Sequence, residues 1–313
     1  MNNIKIQKEY WFVIATGILS GLIVFGGQVF KNLGFSLMEL SVLLYFPTFF
    51  FLLPFLQGKR EEITNLDNLK LIFWWSLIGS LTVITQFGAI VVGTPVAIVA
   101  LLLYTQPVWT IIITKLFLKA SVGKRDIISI ILVLAGLVFL IKPWQVHEIG
   151  SITGILIALL GGLSLSGWVI IGSSVGKSKI DPYVAKFLQT TMAVFLITII
   201  LTIFGRAIGR PEILKFTLIW PLKIWLMIII FNLLTQPLSH ILYLKGSKVV
   251  PAKDSGIILL LEPVSGAIMA ALFLGQAITL NIFIGGILIL IANYFVLAKK
   301  TKAPLPILEE VVD

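Results

Sequence analysis

The sequence predicts an all-α polytopic membrane protein, with ten transmembrane helices arranged as two inverted five-helix repeats. Three observations support this fold class: an apolar composition, ten apolar stretches long enough to cross a bilayer, and a weak duplication of one half in the other. Of the 313 residues, 58% are hydrophobic and 12% are charged, and the mean hydropathy is +1.06. Because a soluble domain is typically about 25% charged, this composition indicates a membrane protein.

Composition also excludes several classes of site. The chain has no cysteine, which rules out disulfides, thiolate metal ligands and cysteine nucleophiles. Its two histidines, His147 and His240, are too few for a histidine-rich metal site, and we expect no metal and no cofactor. The net charge of +10 does not indicate nucleic-acid binding, because the basic residues stand in small groups beside apolar segments, as they do in membrane loops.

Ten apolar stretches set the number of predicted helices, since a helix needs about 20 apolar residues to cross the hydrocarbon core. Charged and helix-breaking residues separate the stretches, and little chain remains for a soluble domain. The predicted spans are 10–30, 36–56, 70–91, 95–117, 125–142, 152–173, 184–205, 219–244, 251–273 and 279–297.

The distribution of lysine and arginine predicts the orientation of these helices. With the N-terminus in the cytoplasm, 18 of the 24 basic side chains fall in cytoplasmic segments and 6 fall outside. This bias favours a plasma (inner) membrane protein with both termini in the cytoplasm. Lys186 is one of the cytoplasmic residues in this count. The loop 206–218 disagrees with the bias, and we expect it to lie along the lipid surface.

A weak repeat relates the two halves of the chain. Gly21 aligns with Gly162 at an offset of 141 residues, and Gln106 aligns with Glu262 at an offset of 156 in the later spans. Five spans in each half would invert the second half relative to the first, with a two-fold axis in the membrane plane. The predicted repeats are 1–145 and 146–300, followed by a short cytoplasmic tail at 301–313.

Glycines and prolines mark two backbone features of the predicted spans. The spacings Gly17 to Gly21 and Gly172 to Gly176 permit close helix contact. Proline removes a backbone donor, so prolines in spans four and nine are candidates for kinks that gate transport, although static bends explain them equally well. These prolines are Pro95 and Pro107 in the first half, and Pro251 and Pro263 at the same offset in the second.

Glu262 is the most informative residue, because it is an acid in the middle of the apolar stretch 251–273. A charged residue at the centre of a span costs about 2.5–3.5 kcal/mol on insertion scales. Two interpretations stay open: a substrate or proton site, or a protonated structural acid that hydrogen-bonds across the bundle. Burial favours the neutral form of a carboxyl group, and a group that gains and loses a proton suits proton coupling.

Other polar residues inside the spans are candidates for the same site. In span eight, Asn232, Gln236, His240 and Tyr243 follow spacings of 4, 4 and 3, and they therefore share one helix face. Each candidate also has a structural interpretation as a hydrogen-bonded or packed core residue. Besides Glu262, the candidates are Gln86, Tyr104, Gln106, Trp168, Gln189, Gln236, His240 and Ser255.

Charged residues near the span ends are expected to be structural. Glu39 begins span two and is predicted to be a solvated end residue, and Lys253 with Asp254 is predicted to form an interfacial pair. Asp67 and Asp126 stand alone in loops. The sequence has neither a clustered acid–histidine or nucleophile–base pattern nor a Gly-x-x-x-x-Gly-Lys-Ser/Thr motif, so a membrane enzyme and an ATP-driven pump are both disfavoured.

The motifs Leu261-Glu262-Pro263-Val264 in span nine and Tyr104-Thr105-Gln106-Pro107-Val108 in span four carry a family resemblance. In this order, with the Pro95 and Pro251 segments before them, they resemble the EamA-type domain of the drug/metabolite transporter superfamily. The resemblance covers nearly the whole chain. It departs from the family at Gln276, where an acid is common, and at Lys119-Ala120, where Gly-Glu is usual.

The resemblance implies a secondary transporter working by alternating access, and more specifically an exporter of small metabolites such as amino acids. Glu262 is then the candidate for proton coupling. A membrane-embedded enzyme or a channel is the alternative. The expected partners are a small-molecule substrate and the lipid bilayer, and the protein is expected to act as a monomer or homodimer.

Overall fold

The computed structural model describes residues 7–43, 45–145, 151–207, 211–275 and 277–298, and it is helical, with no strand in those ranges. The first half contains α1 (Lys8–Asn32), α2 (Leu37–Leu43), α3 (Phe46–Leu52), α4 (Arg60–Thr64), α5 (Leu66–Val91), α6 (Val96–Leu103), α7 (Gln106–Phe117) and α8 (Lys124–Ile141). The second half contains α9 (Ile152–Lys177), α10 (Pro182–Ala207), α11 (Leu222–Leu233), α12 (Ser239–Ser247), α13 (Ala252–Ile258), α14 (Leu261–Leu274) and α15 (Leu280–Leu297). His147, Gln276 and the predicted tail at 301–313 lie outside the described residues.

These helices form ten membrane spans, as the sequence predicts. Within the described ranges, nine segments are long and apolar enough to cross a membrane. The remaining span is α1, whose 25 residues rise about 37 Å and exceed the hydrocarbon thickness of about 30 Å. The nine segments, which become spans 2 to 10, are Met38–Leu56, Leu66–Gln86, Ile98–Phe117, Lys124–Gln145, Ile152–Lys177, Pro182–Ile203, Leu222–Ser247, Ala252–Leu274 and Leu280–Leu297.

Spans 4 and 9 are both interrupted at the same place in their repeats. The helix breaks between α6 and α7 at Tyr104-Thr105, and between α13 and α14 at Leu259-Leu260. Each break is followed by a proline, Pro107 or Pro263, in the first turn of the next helix. Because proline has no N–H to donate to the residue four positions earlier, the preceding turn is left free to bend.

The other two prolines of the predicted set have a different position. Pro95 and Pro251 are the N-cap residues of α6 and α13, with extended backbone at ψ 137° and 146°. They therefore begin their spans and do not bend them. A further proline, Pro237, lies inside a π-helical turn, Leu234–Leu238, that joins α11 to α12 in span 8.

The packing of the spans shows the two-fold relation between the halves. Span 1 packs against spans 8 and 9, and its counterpart, span 6, packs against spans 3 and 4. Span 3 packs against span 7, and their counterparts in the other half, spans 8 and 2, also pack against each other. Spans 5 and 10 pair with each other, and so do spans 2 and 7. Exchanging the halves reproduces this pattern, which confirms two inverted five-helix repeats.

Two aligned glycines place the first helix of each half against the broken helix of the other. A Cβ atom at Gly21 of α1 would lie 2.8 Å from the backbone oxygen of Glu262 and 2.6 Å from the nitrogen of Gly266. A Cβ atom at Gly162 of α9 would lie 2.7 Å from the backbone oxygen of Leu102. Only glycine allows this approach, so both helix breaks rest against a glycine of the opposite half.

The prediction that Glu39 is a solvated end residue is wrong. Glu39 is fully buried, and its carboxylate accepts hydrogen bonds from the backbone nitrogens of Ser36 at 2.8 Å and Thr217 at 3.0 Å. The Ser36 hydroxyl accepts from the backbone nitrogen of Glu39 at 3.0 Å, which completes a capping box. Ser36 also donates to the backbone oxygen of Lys215 at 2.5 Å, so the loop 211–218 is tied to the start of span 2.

Lys253 pairs with Asp126 in place of the predicted partner Asp254. The Nζ atom of Lys253 lies 3.1 Å from Oδ2 of Asp126, and it also donates to the backbone oxygen of Ser121. Asp126 is buried and accepts from the backbone nitrogen of Gly123 at the start of α8. Asp126 is therefore not an isolated loop acid, because it connects span 5 to span 9.

Candidate functional site

A buried lysine is the centre of the most polar cluster in the bundle. Lys186 lies in the second turn of α10 and is fully buried. Its Nζ atom donates to Oε1 of Gln189 at 2.8 Å and to Oε1 of Gln236 at 3.2 Å, and it lies 2.6 Å from Nδ1 of His240. The three donors of an ammonium group are thus matched by three acceptors, one from span 7 and two from span 8. We call these four residues the Lys186 cluster.

Four aromatic rings enclose the Lys186 cluster. The ammonium of Lys186 lies 5.4 Å from the ring centroid of Tyr45, which occupies the aligned position in the first half at the offset of 141 residues. Trp168 lies 5.2 Å from the His240 ring and stacks on Tyr243 at 5.2 Å. Trp75 stacks on Trp168 at 5.5 Å. The rings therefore present flat, apolar faces to the cluster, and the negative face of each ring attracts a cation.

The stripe predicted along span 8 extends this cluster. Oδ1 of Asn232 accepts from the Thr48 hydroxyl of span 2 at 2.8 Å, and Nδ2 of Asn232 is buried without an acceptor. Gln236 and His240 follow at intervals of four residues and both contact Lys186. The Tyr243 hydroxyl ends the stripe by donating to the backbone oxygen of Val169 at 2.6 Å.

Lys186 itself was counted as a cytoplasmic loop residue on the sequence, and that assignment is wrong. The preceding residues carried a usable signal. Asp181 accepts from the backbone nitrogen of Tyr183 at 2.8 Å, and Pro182 opens α10, so Asp-Pro forms a helix start. The predicted span 184–205 already included Lys186, and a helix that begins at Pro182, two residues earlier, places it in the second turn.

Glu262 belongs to a second and smaller cluster at the breaks of spans 4 and 9. Its Oε1 atom accepts from the Tyr104 hydroxyl at 3.1 Å. Tyr104 is buried, whereas Glu262 is only partly buried. This contact links the two halves of the chain across the helix breaks. We call it the Glu262 pair.

The glutamine aligned with Glu262 has a different environment. Gln106 is buried and donates through Nε2 to the Thr110 hydroxyl at 2.6 Å. Thr110 donates in turn toward the backbone oxygen of Gln106 and toward the Ser166 hydroxyl of α9, both at 3.0 Å. Through Thr110 and Ser166, this network joins span 4 to span 6. Gln106 has no equivalent of the tyrosine that contacts Glu262, because Leu260 stands at the position aligned with Tyr104.

The remaining candidates lie apart from both clusters. Gln86 is partly buried near the end of span 3. Ser255 is fully buried in α13, and its hydroxyl has no hydrogen-bond partner. The structure thus gathers Gln189, Gln236, His240 and Trp168 around Lys186 and sets Tyr104 against Glu262.

The two clusters differ in the groups that they present. Within the described ranges, no group of three or more His, Cys, Asp or Glu side chains comes together to hold a metal ion. The Lys186 cluster presents one cation among neutral acceptors, and the Glu262 pair presents one carboxyl group with a single side-chain donor. Such groups can bind a charged ligand and carry a proton.

An apolar groove of about 370 Å³ lies on the bundle between spans 2 and 8, and no member of either cluster lines it. Several of its lining residues are large, exposed hydrophobic side chains, as expected for a surface that meets lipid acyl chains. Its lining residues are Phe46, Pro47, Phe50, Phe51, Trp225, Ile229 and Leu233.

Comparison with known proteins gives the same family for both halves. The EamA-like transporter family matches residues 7–142 and again residues 152–298. A protein of Clostridium kluyveri that is named an uncharacterized transporter is 25% identical over 309 residues, which cover 95% of each chain. A second uncharacterized transporter, from Archaeoglobus fulgidus, is 26% identical over 274 residues, covering 87% of this chain and 92% of the relative.

A solved crystal structure shares the fold. It superposes with a TM-score of 0.73 over 93% of this chain and 97% of the other, at 14% sequence identity. At that identity the similarity concerns the fold alone.

Proposed function

The chain belongs to the EamA-like transporter family, and from that premise we propose that it is a secondary transporter that exports small metabolites, such as amino acids, by alternating access. Relatives across nearly its full length are named transporters, not enzymes. The proposal adds a direction, a substrate class and a coupling ion to the family assignment. It also assigns the substrate path to the two polar clusters.

The observation that carries the proposal is the position of Glu262 at a helix break. Glu262 and Tyr104 meet where spans 9 and 4 are both interrupted, and each belongs to a different half. In transporters built from inverted repeats, substrates and coupling ions bind near mid-membrane, where discontinuous helices meet. A partly buried carboxyl group at such a place suits proton coupling, because it can gain and lose a proton as its surroundings change.

The inverted repeats supply a mechanism for alternating access. If one half adopts the arrangement of the other, a site that faces one side of the membrane comes to face the opposite side. The close contacts of Gly21 and Gly162 with the broken spans provide the surfaces on which the halves would rock. The bends at Pro107 and Pro263 are the proposed gates.

The orientation of the chain is part of the proposal. With Lys186 moved into span 7, 17 basic side chains remain in cytoplasmic segments and 6 outside, so the bias still favours cytoplasmic termini. We assign the protein to the plasma (inner) membrane, as a monomer or homodimer that binds a small-molecule substrate within the bilayer and binds no nucleic acid.

The test is an untargeted comparison of metabolites released by cells. Wild type and Glu262→Gln are compared at equal membrane abundance, together with an empty-vector strain, and each is measured at several external pH values. We expect at least one compound to be released by the wild type and lost in Glu262→Gln. Release by wild type that does not respond to external pH would refute proton coupling, and equal profiles in all three strains would refute export.

A further inference from the structure

Lys186 brings a cation into a site that contains no anion. Its neighbours at hydrogen-bond distance are the amide oxygens of Gln189 and Gln236 and the Nδ1 atom of His240, all of them neutral acceptors. In the described part of the chain, no carboxylate oxygen lies within 4.0 Å of its Nζ atom. When Lys186 carries its charge, Nδ1 of His240 is the acceptor of this contact, and a neutral imidazole then carries its proton on Nε2.

Two other buried charged groups of the bundle are compensated. The carboxylate of Asp126 faces the ammonium of Lys253 at 3.1 Å, and Glu39 accepts from two backbone nitrogens. A buried charge is normally paired, because removing it from water is expensive unless an opposite charge compensates. Lys186 has its hydrogen bonds but no opposite charge.

Asn232 provides a second and independent indication of a missing ligand. Its amide nitrogen is fully buried and has no acceptor, although the amide oxygen is used by Thr48. Asn232 stands four residues before Gln236 in span 8, and its side chain reaches Thr48 of span 2. A buried donor without an acceptor is unfavourable, so an acceptor that enters the site would be stabilised by both groups.

We propose that the Lys186 cluster binds the carboxylate group of a small organic monoacid, which is the transported compound. The inference rests on the proposed transport function and narrows its substrate class. Lys186 supplies the opposite charge, and Gln236, whose 3.2 Å bond to the ammonium is the longest of the three, gives way to the incoming oxygen. Nδ2 of Asn232 is the second donor.

The rest of the site indicates a single charge on an apolar body. One ammonium among neutral residues balances a monoanion, whereas a phosphate dianion needs several charged donors. The rings of Tyr45 and Trp168 that flank the ammonium and His240 give the ligand apolar surface and no further charge. We therefore expect acids with a small aliphatic or aromatic body to bind and their uncharged amides not to bind.

The test measures thermal unfolding of the purified full-length protein in detergent with matched acid and amide pairs. The probes are benzoate with benzamide and hexanoate with hexanamide, each titrated at constant ionic strength, together with chloride alone. The variants are Lys186→Gln, Lys186→Met and Lys186→Arg. Lys115→Gln is the matched control, because Lys115 is an exposed lysine near the end of span 4, outside the cluster.

We expect an acid to raise the unfolding temperature of the wild type and of Lys115→Gln, and the corresponding amide to bind about tenfold or more weakly. Lys186→Gln and Lys186→Met should remove the preference for the acid, and Lys186→Arg should retain part of it. Both neutral variants should fold, since removing an uncompensated buried charge relieves a desolvation penalty.

Several results would overturn the inference. They are equal stabilisation by acid and amide, stabilisation by neither, an equal effect of chloride alone, or an acid preference that survives in Lys186→Gln. The transport proposal and the carboxylate site can be refuted independently of each other. Acid binding at Lys186 without any compound released from cells would refute transport and keep the site, whereas released compounds that all lack a carboxylate would refute the site and keep transport.

Discussion

The Lys186 cluster and the Glu262 pair hold a charged group in opposite ways. Lys186 is fully enclosed, and three neutral acceptors fix its ammonium. Glu262 is only partly buried and receives one side-chain hydrogen bond, from Tyr104. A cation with every donor occupied stays in place, whereas a carboxyl group with one partner keeps oxygen lone pairs open to a proton. On the proposals above, the first site keeps a charge for a ligand and the second exchanges a proton.

The largest expected effect comes from a substitution that forces α1 away from α14, next to the Glu262 pair. Gly21→Val would place a branched side chain against the backbone of Glu262 and Gly266, where even a Cβ atom lies at 2.8 and 2.6 Å. We expect a loss of about 3 kcal/mol or more in the free energy of unfolding, at the upper end of overpacking penalties. Size-exclusion chromatography and thermal unfolding of the purified protein measure it.

The matched control for this change is Gly286→Ala. A Cβ atom at Gly286 meets its nearest neighbour, Val264, at 3.6 Å, which is an ordinary contact. The control should unfold within about 1 kcal/mol of wild type. A stable, monodisperse Gly21→Val protein would show that spans 1 and 9 are not packed as described.

The second prediction concerns the charge on Lys186. His240→Leu removes one of the three acceptors of a buried ammonium, and we expect it to cost about 1–3 kcal/mol in the free energy of unfolding. In the double variant Lys186→Met/His240→Leu the cost should largely disappear, because no charge is left to stabilise. Thermal or denaturant unfolding of the two variants measures the coupling. Additive costs would mean that Lys186 does not depend on His240.

The third prediction concerns the hydrogen bond that Glu262 receives from Tyr104. Among the described residues, Tyr104 is the one side-chain donor to the carboxyl group of Glu262, and Tyr104→Phe removes this donor while keeping the ring. We expect initial transport rates to fall about two- to tenfold, less than in Glu262→Gln, because the titrating group itself remains. Trp109→Phe is the control, since Trp109 donates to Thr105 and makes no hydrogen bond to either cluster in the described part of the chain. Equal losses in the two variants would contradict a specific role for the Tyr104 hydroxyl.

The smallest expected effect lies at the start of span 7, where Asp181 caps the helix that carries Lys186. Burial raises the pKa of Asp181, but the hydrogen bond and charge of Lys59 at 2.8 Å and the backbone nitrogens of Tyr183 and Val184 outweigh it, so the pKa lies below its usual value. A depressed carboxyl pKa adds stability above the unfolded pKa of about 4, and that stability is lost as the pH falls through the folded pKa.

Asp181→Asn should therefore lower the free energy of unfolding by about 0.2–1 kcal/mol at neutral pH, and the difference from wild type should shrink below about pH 4. Unfolding temperatures measured across this pH range test the sign. Asp67→Asn is the control, because the Asp67 side chain is 90% exposed and lies 3.7 Å from Lys70. A difference that grows on acidification would contradict the contribution of the Lys59 pair.

Hydrophobicity and repetition predicted the fold, because both follow from local sequence. Ten apolar stretches gave ten spans, and the paired prolines Pro107 and Pro263 marked spans four and nine, which are the interrupted ones. Of the stripe predicted along span 8, Gln236 and His240 both contact Lys186, while Asn232 contacts Thr48 beyond a π-helical turn. These features depend on spacing within one helix, which a single sequence contains.

Contacts between distant helices were harder to predict. Lys186 and Glu39 were placed outside the core because charged residues near span ends are normally solvated. Their burial depends on partners 50 and 178 residues away, Gln236 and Thr217. Part of the signal was nevertheless local, since Asp181-Pro182 and the Ser36 to Glu39 spacing both mark helix starts. The pairing of Tyr104 with Glu262 had no local signal.

Proton movement during transport in proteoliposomes tests the separation of the two sites most directly. The wild type, Glu262→Gln and Lys186→Gln are compared for uptake of the released compound and of its amide, with and without an imposed pH gradient. We predict that Glu262→Gln loses the response to the gradient and keeps the preference for the acid, while residual transport by Lys186→Gln shows the reverse. Two variants with the same defect would contradict separate sites for the proton and the substrate.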